Sequence, residues 1–125
     1  DVTIAAIGSM VNYALIAAET LSEKKVSAKV LNVHTLKPLD KATLVKSAKK
    51  TGRVISAEQH QVNGGLGGAI AEVLSENYPT PVKRMGVNDV FSETARELNQ
   101  LLEHHELTAA DIVANAQKLI EKTRK

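Results

Sequence analysis

The apolar and polar positions of this chain fall into two alternating patterns. Short, nearly continuous apolar runs predict β-strands that are buried on both faces, and they occupy residues 2–7, 28–33, 53–57 and 82–87. The segments that follow the strands repeat their apolar residues at helical spacing. The first helix is predicted to start at Val11 and to bury one face: Val11, Ala14, Leu15, Ala18 and Leu21.

Two further helices are predicted from residues that favour helix starts and ends. Asp40 can cap a helix that runs to about Lys50, and Gly52 can end it because glycine accepts a left-handed conformation. The next helix carries an apolar face and ends before two prolines, and the residues concerned are Ile70, Val73, Leu74, Pro79 and Pro81.

Helical segments also follow the last predicted strand, over residues 93–104 and after Thr108, whose spacing from Asp111 is that of a capping box. Strands that alternate with helices predict an α/β fold, here a three-layer α/β/α domain with a mainly parallel four-stranded sheet in the order 2-1-3-4. In this order strand 2 lies on one side of strand 1, and the chain then crosses back to add strands 3 and 4 on the other side. The loops that contain Ser9 and residues 58–68 therefore flank a topological switch point, where a ligand or a partner is expected first.

A glycine cluster lies between the third strand and the helix that follows it. Four of the seven glycines occur here, at Gly64, Gly65, Gly67 and Gly68. Glycine permits close approach, and the N–H groups of a helix start can receive an anion or a carboxylate. The cluster lacks the Gly-Lys-Ser/Thr ending of a P-loop and the third glycine of a dinucleotide fingerprint. Close packing of the helix start against the sheet or a neighbouring subunit is therefore favoured over nucleotide binding.

Glu58 and His60 precede the glycine cluster and are two residues apart. If the strand is still extended there, their side chains point to the same side of the sheet. A carboxylate beside an imidazole can act as a general acid–base pair. Because no nucleophile or second carboxylate accompanies them in a recognisable motif, we favour the other interpretation, a hydrogen-bonded pair that fixes the turn or an interface.

Composition narrows the possible functions. The chain has no cysteine, which excludes disulfides and thiolate metal sites and is typical of a cytoplasmic protein. The net charge is only +2 and aromatic residues make up 2%, so neither a nucleic-acid surface nor an aromatic core is expected. No apolar run approaches the ~20 residues that span a bilayer, so no membrane partner is expected. His34 and His60 lack a third ligand, and no metal site is predicted.

Five stretches occur in an order known from one enzyme family. They are Asp1-Val2-Thr3-Ile4 with Gly8-Ser9, Val30-Leu31-Asn32-Val33-His34-Thr35-Leu36-Lys37-Pro38-Leu39-Asp40, Ala57-Glu58-Gln59-His60, Gly64-Gly65-Leu66-Gly67-Gly68-Ala69-Ile70-Ala71-Glu72-Val73-Leu74 and Gly86-Val87-Asn88-Asp89-Val90-Phe91. Together they cover nearly the whole chain, which resembles the C-terminal domain of transketolase and is most similar to the form in which transketolase is split into two polypeptides. Related domains form the C-terminal part of 1-deoxyxylulose 5-phosphate synthase and of the β subunits of 2-oxo acid dehydrogenases. Both enzymes remain alternatives to transketolase as the parent protein.

The resemblance implies a complete enzyme that moves a two-carbon ketol unit between sugar phosphates with thiamine diphosphate and Mg²⁺. In that family the cofactor lies between the two preceding domains, which come from different subunits, and the C-terminal domain supports the dimer. We therefore expect no catalytic residue and no bound cofactor in this domain, which should be inactive alone. The expected partners are the remaining transketolase domains or an N-terminal subunit, and further copies of the same chain in a homo-oligomer.

The resemblance also assigns a role to the turn between strand and helix. It implies a conformational and interface element formed by Glu58, His60, Gly64, Gly65, Gly67 and Gly68. Residues 1–125 are expected to form one domain of a longer chain, because the family's domain usually begins with a further, antiparallel strand that would lie upstream of Asp1.

One departure from the family and one alternative function complete these expectations. After Phe91 the family commonly continues with Gly, a variable residue, Ser or Ala, and Gly, whereas this chain has Ser92-Glu93-Thr94-Ala95. The loss of both glycines favours a stiffer, more helical loop and bears on any role of that loop at a subunit boundary.

A metabolite-sensing module that uses the crevice between Ser9 and the glycine cluster is the alternative from a different functional class.

Overall fold

The computed structural model describes residues 1–34, 39–61, 65–87 and 106–124, with His60 and Gln61 described by their backbone. The strands are β1 (Val2–Ala6), β2 (Ala28–Asn32), β3 (Val54–Gln61) and β4 (Val82–Val87). The helices are α1 (Met10–Glu23), α2 (Lys41–Thr51), α3 (Leu66–Asn77) and α4 (Ala109–Thr123). The helix predicted over residues 93–104 and the loop after residue 91 lie outside the described residues.

The four strands form one parallel sheet in the order β2-β1-β3-β4, which confirms the predicted fold class and strand order. Helices α1 and α4 cover one face of the sheet, and α2 and α3 cover the other. Among the described residues the buried apolar side chains are Ala, Val, Leu, Ile and Met, without an aromatic ring. In the same part of the chain, no helix is long and apolar enough to cross a membrane.

The predicted buried face of α1 was partly wrong. The helix begins one residue earlier than expected and buries Met10, Ala14, Ala17 and Leu21, whereas Leu15 remains 54% exposed. Residues 14–18 are all apolar, so their spacing cannot decide which side faces the sheet. The structure places alanines, which allow a close approach, against the strands.

Strand β3 extends further than predicted, and this extension positions the candidate site. Its pairing with β4 continues, through an irregularity after Ala57, as far as Gln61 and Val87. The residue at position 58 therefore belongs to the strand itself. By contrast, β1 and β2 each end one residue earlier than expected, at Ala6 and Asn32.

The predicted helix ends at α2 and α4 are confirmed. The Asp40 carboxylate accepts hydrogen bonds from the Thr43 hydroxyl (2.8 Å) and the Thr43 backbone N–H (3.1 Å), and these two donors lower the pKa of Asp40. Gly52 ends α2 with φ at 79°. At the start of α4, Thr108 and Asp111 form the reciprocal bonds of a capping box.

Candidate interface site at the start of helix α3

The carboxylate of Glu58 caps helix α3. Its Oε1 accepts a hydrogen bond from the Leu66 backbone N–H at 2.9 Å, and its Oε2 accepts one from the Gly67 N–H at 2.7 Å. The side chain is only 2% exposed. A helix start carries unpaired N–H groups and a partial positive charge, so a buried carboxylate is stabilised there. The anion position at this helix start is thus filled by the chain itself.

The cap comes from a strand because the residue that begins the helix has no side chain to offer. Gly65 occupies the N-cap position with an extended backbone and makes no side-chain cap. Ser, Thr, Asp or Asn usually provides this cap from within the helix start. Here Glu58, seven residues earlier on β3, provides it instead. The bond therefore connects the sheet directly to α3.

Of the two glycines inside α3, Gly67 is the one that lies close to the sheet. A Cβ atom at Gly67 would lie 2.7 Å from Ser56 Oγ and 2.8 Å from Arg84 Cγ. A Cβ at Gly68 would meet nothing within 4 Å. Close packing against the sheet therefore holds for Gly67 but not for Gly68, and Gly64 lies outside the described residues.

Ser56 and Arg84 complete the contact and were not singled out from the sequence. They are paired in register on the neighbouring strands β3 and β4. Ser56 is fully buried, and its Oγ has no hydrogen-bond partner among the residues that the structure describes. Its spacing of two residues from Glu58 along the strand was the available signal, because side chains at that spacing share a face of a sheet.

Replacing Ser56 with Ala is expected to leave the free energy of unfolding unchanged or to raise it by up to about 1 kcal/mol, because a buried hydroxyl without a partner has lost its hydration and gained no bond. The measurement is urea unfolding followed by circular dichroism. Ser47→Ala is the matched control, since Ser47 is equally buried but its Oγ lies 2.8 Å from Thr3 Oγ1. Ser47→Ala removes this hydrogen bond and should lower the free energy of unfolding by about 1–3 kcal/mol. Equal losses in both variants would contradict the assignment of Ser56 as unpartnered.

Of the other predicted residues, the structure describes Ser9 and the backbone of His60 at the same edge of the sheet. Ser9 is exposed, adopts a helical conformation at the start of α1 and makes no side-chain cap. The backbone of His60 lies in β3, and whether its side chain meets Glu58 falls outside the described residues. The roles of Ser9, His60 and the glycines at an interface stay predictions.

The described residues do not fit thiamine diphosphate or its metal at this site. The two N–H groups that could receive a phosphate already bind Glu58, and a second anion would meet the negative charge of that carboxylate. Within the ranges that the structure describes, no group of three or more His, Asp or Glu side chains is placed to hold a metal ion.

A cavity of about 320 Å³ lies elsewhere, where β2 ends beside α2. Its polar lining includes His34, Asp40 and Thr43, and its apolar lining includes Leu31 and Ile70. This is not the crevice between Ser9 and the glycine cluster that the sensing alternative requires.

Comparison with known proteins identifies the family. The family model for the C-terminal domain of transketolase matches residues 1–112. The 6-deoxy-6-sulfo-D-fructose transketolase subunit SqwH of Clostridium sp. (strain MSTE9) is 49% identical over 98% of this chain and 38% of its own length. The 1-deoxy-D-xylulose-5-phosphate synthase of Heliobacterium modesticaldum is 38% identical over 99% of this chain and 19% of its own length.

A solved structure agrees with these sequence matches. A split-gene transketolase, described as an inactive β4 tetramer, superposes with a TM-score of 0.93 at 51% identity, and the match covers 99% of this chain and 40% of that one. The chain thus spans about two fifths or less of the length of these relatives. The resemblance seen in the sequence is confirmed, and this chain belongs to the transketolase C-terminal domain family.

Proposed function

We propose that this chain supports the assembly of a thiamine diphosphate-dependent transketolase that transfers a two-carbon ketol unit between sugar phosphates. Family membership and the high identity to a transketolase subunit support the parent class. The remaining transketolase domains, or a separate N-terminal subunit, hold thiamine diphosphate and Mg²⁺ and carry the catalytic groups. The absence of cysteine supports a cytoplasmic location for the complete enzyme.

The observation that carries this proposal is the internal cap on α3. Glu58 occupies the helix start where an open phosphate site would need free N–H groups. The cap also fixes the first turn of α3 to the sheet, which gives the loop before it a rigid base. A rigid base suits a domain whose task is to hold a neighbouring subunit or domain in place.

The proposal includes a homo-oligomer that is inactive without a partner. The structural relative with 51% identity is described as an inactive β4 tetramer of a split-gene transketolase. By analogy, copies of this chain associate with one another but need the remaining domains or an N-terminal subunit for activity.

The test is ketol transfer from xylulose 5-phosphate to ribose 5-phosphate, with thiamine diphosphate and Mg²⁺. This chain alone, the remaining domains alone and the two together are compared, and a parallel series uses 6-deoxy-6-sulfo-D-fructose as the donor. We expect no activity from this chain alone and the highest activity from the mixture. Saturable micromolar binding of thiamine diphosphate to this chain alone, or activity that its presence does not change, would contradict the proposal.

A second candidate parent is 1-deoxyxylulose 5-phosphate synthase, which the 38% identity to the Heliobacterium enzyme supports. The same protein combinations, given pyruvate and glyceraldehyde 3-phosphate in place of the two sugar phosphates, are assayed for formation of 1-deoxy-D-xylulose 5-phosphate and release of CO2. Product in this assay, without ketol transfer, would assign the chain to the synthase.

A further inference from the structure

Arg53 joins the start of β1 to the end of α4. The residue lies directly before β3 and is half-buried. Its Nη1 donates a hydrogen bond to the Asp1 carbonyl oxygen at 2.6 Å, and its Nε donates one to Thr123 Oγ1 at 2.7 Å. Asp1 and Thr123 lie near opposite ends of the sequence, so one side chain connects two distant segments.

Both sides of this bridge are anchored in secondary structure. The Thr123 hydroxyl donates a hydrogen bond to the Leu119 carbonyl at 2.7 Å, within the last turn of α4. The end of a helix carries a partial negative charge, which favours a cation such as Arg53 beside it. The Arg53 carbonyl accepts a bond from the Thr3 N–H at 3.0 Å, where β1 and β3 begin to pair. The backbone of Arg53 is therefore held by the sheet.

Asp1 is also held from the side of β2. Its carboxylate accepts a hydrogen bond from the Ser27 backbone N–H at 2.9 Å, and the Val2 N–H bonds to the Ser27 carbonyl at 3.2 Å. Residues at the edge of a domain are usually poorly ordered unless other segments tie them down. Here the segments before β2 and β3 both fix the backbone at Asp1, although its side chain is exposed.

Arginine suits this bridge better than lysine does. Its planar guanidinium offers N–H donors in fixed, different directions, as two separate acceptors require. Lysine has one ammonium nitrogen on a flexible stem, and that nitrogen cannot occupy both donor positions. Arg53→Lys therefore keeps the charge and breaks the bridge.

The surroundings of Asp1 favour a peptide bond over a charged amino group at its nitrogen. Burial lowers the pKa of the Asp1 α-amino group, and the positive charges of Arg53 and Lys50 lower it further. These effects disfavour an ammonium group, whereas an amide carries no charge for them to act on. The relatives compared above also contain further residues, because the match covers only 38% and 40% of their lengths.

We propose that Arg53 is a positioning residue that fixes the path by which a preceding domain of the same polypeptide joins this one. By holding the Asp1 carbonyl against the sheet and the end of α4, Arg53 makes the junction rigid. Domains joined by a flexible connection move relative to one another, and this bridge restricts that motion. The inference rests on the proposed assembly with the remaining transketolase domains and names a residue that sets their orientation.

The test uses the complete natural polypeptide. Mass spectrometry of its peptides first establishes whether it continues before Asp1, and a polypeptide that starts at Asp1 would overturn the proposal. Orientation is then measured by double electron–electron resonance between two spin labels, one at Ser22→Cys on α1 and one on the preceding domain. Residues 1–125 contain no cysteine, so the label in this domain is attached at a single position.

Arg53→Lys should broaden the distribution of distances between the labels at least about twofold, because the junction gains freedom. It should also speed amide hydrogen exchange at Val2 and Ser27, whose N–H groups bond beside Asp1, by about fivefold or more. Thr123→Val removes the bond to α4 but leaves the one from Arg53 to Asp1. It should therefore broaden the distances less and leave exchange at Val2 and Ser27 unchanged.

Arg124→Lys is the matched control. It makes the same chemical change at an exposed side chain that forms no hydrogen bond within the part of the chain that the structure describes. It should alter neither measurement, and circular dichroism checks that each variant is folded.

Three results would overturn the role of Arg53. Faster exchange in Arg53→Lys without broader distances would mean that Arg53 only stabilises this domain. Equal broadening in Thr123→Val would assign the orientation to α4 instead of the bond to Asp1, and no change in either measurement would remove the bridge altogether. Ketol transfer by the unlabelled protein tests the proposed function separately, so failure of one inference is distinguishable from failure of the other.

Discussion

Replacing Glu58 with Gln should lower the free energy of unfolding by about 2–3 kcal/mol. The carboxylate accepts bonds from two backbone N–H groups at 2.9 and 2.7 Å, and it is almost completely buried. Glutamine keeps one acceptor oxygen but turns an NH₂ group toward the second N–H, which then has no acceptor. The substitution also removes a negative charge from the positive end of α3. Urea unfolding of the purified variant measures the loss.

Glu72→Gln provides the control for the Glu58 variant. It makes the same chemical change on α3, but at an exposed position, where surface substitutions usually stay within about 0.5 kcal/mol. Amide hydrogen exchange adds a local readout, because the N–H groups of Leu66 and Gly67 should exchange faster in Glu58→Gln only. If both variants lose the same stability, or if exchange at these two amides is unchanged, the cap does not hold the helix start.

The sheet could be predicted from the sequence because its information is local. Each strand is a nearly continuous apolar run followed by a helix, and right-handed crossovers between parallel strands then leave few possible orders. The helix ends could also be predicted from neighbouring residues, as the caps formed by Asp40 and Thr108 show. The buried face of α1 could not, because the apolar run around Leu15 is compatible with several faces, and packing on the sheet decides among them.

The candidate site could be predicted only in part for the same reason. The glycine cluster showed that a helix start would offer N–H groups, and the sequence placed Glu58 near it. That Glu58 itself fills the position depends on β3 continuing past residue 57, which pairing with β4 causes. Arg84 reaches Gly67 because the register of two strands places it beside Ser56, and residue spacing along the chain carries no record of that register.

The second large effect is expected at Gly67. Replacing Gly67 with Ala should lower the free energy of unfolding by about 1–3 kcal/mol, the usual cost of inserting a methyl group into a packed contact. The new Cβ would lie 2.7 Å from Ser56 Oγ and 2.8 Å from Arg84 Cγ, and real Cβ contacts are essentially never so short. The Ser56 hydroxyl, the Arg84 side chain or helix α3 itself must therefore shift. A shift of the helix also strains the bond from the Gly67 N–H to Glu58.

Gly68→Ala separates this contact from the general effect of alanine in a helix. The added methyl group meets nothing within 4 Å, so helix propensity alone should stabilise the folded chain by up to about 1 kcal/mol. In the Ser56→Ala background the nearest atom to the new Cβ of Gly67→Ala is gone, and the cost of that substitution should fall by about 1 kcal/mol, as measured by a double-mutant cycle. Part of the cost should persist, because Arg84 still occupies its position beside the helix. A cycle with no coupling would mean that α3 is free to shift, and the start of the helix would then be less rigidly attached to the sheet than an assembly surface requires.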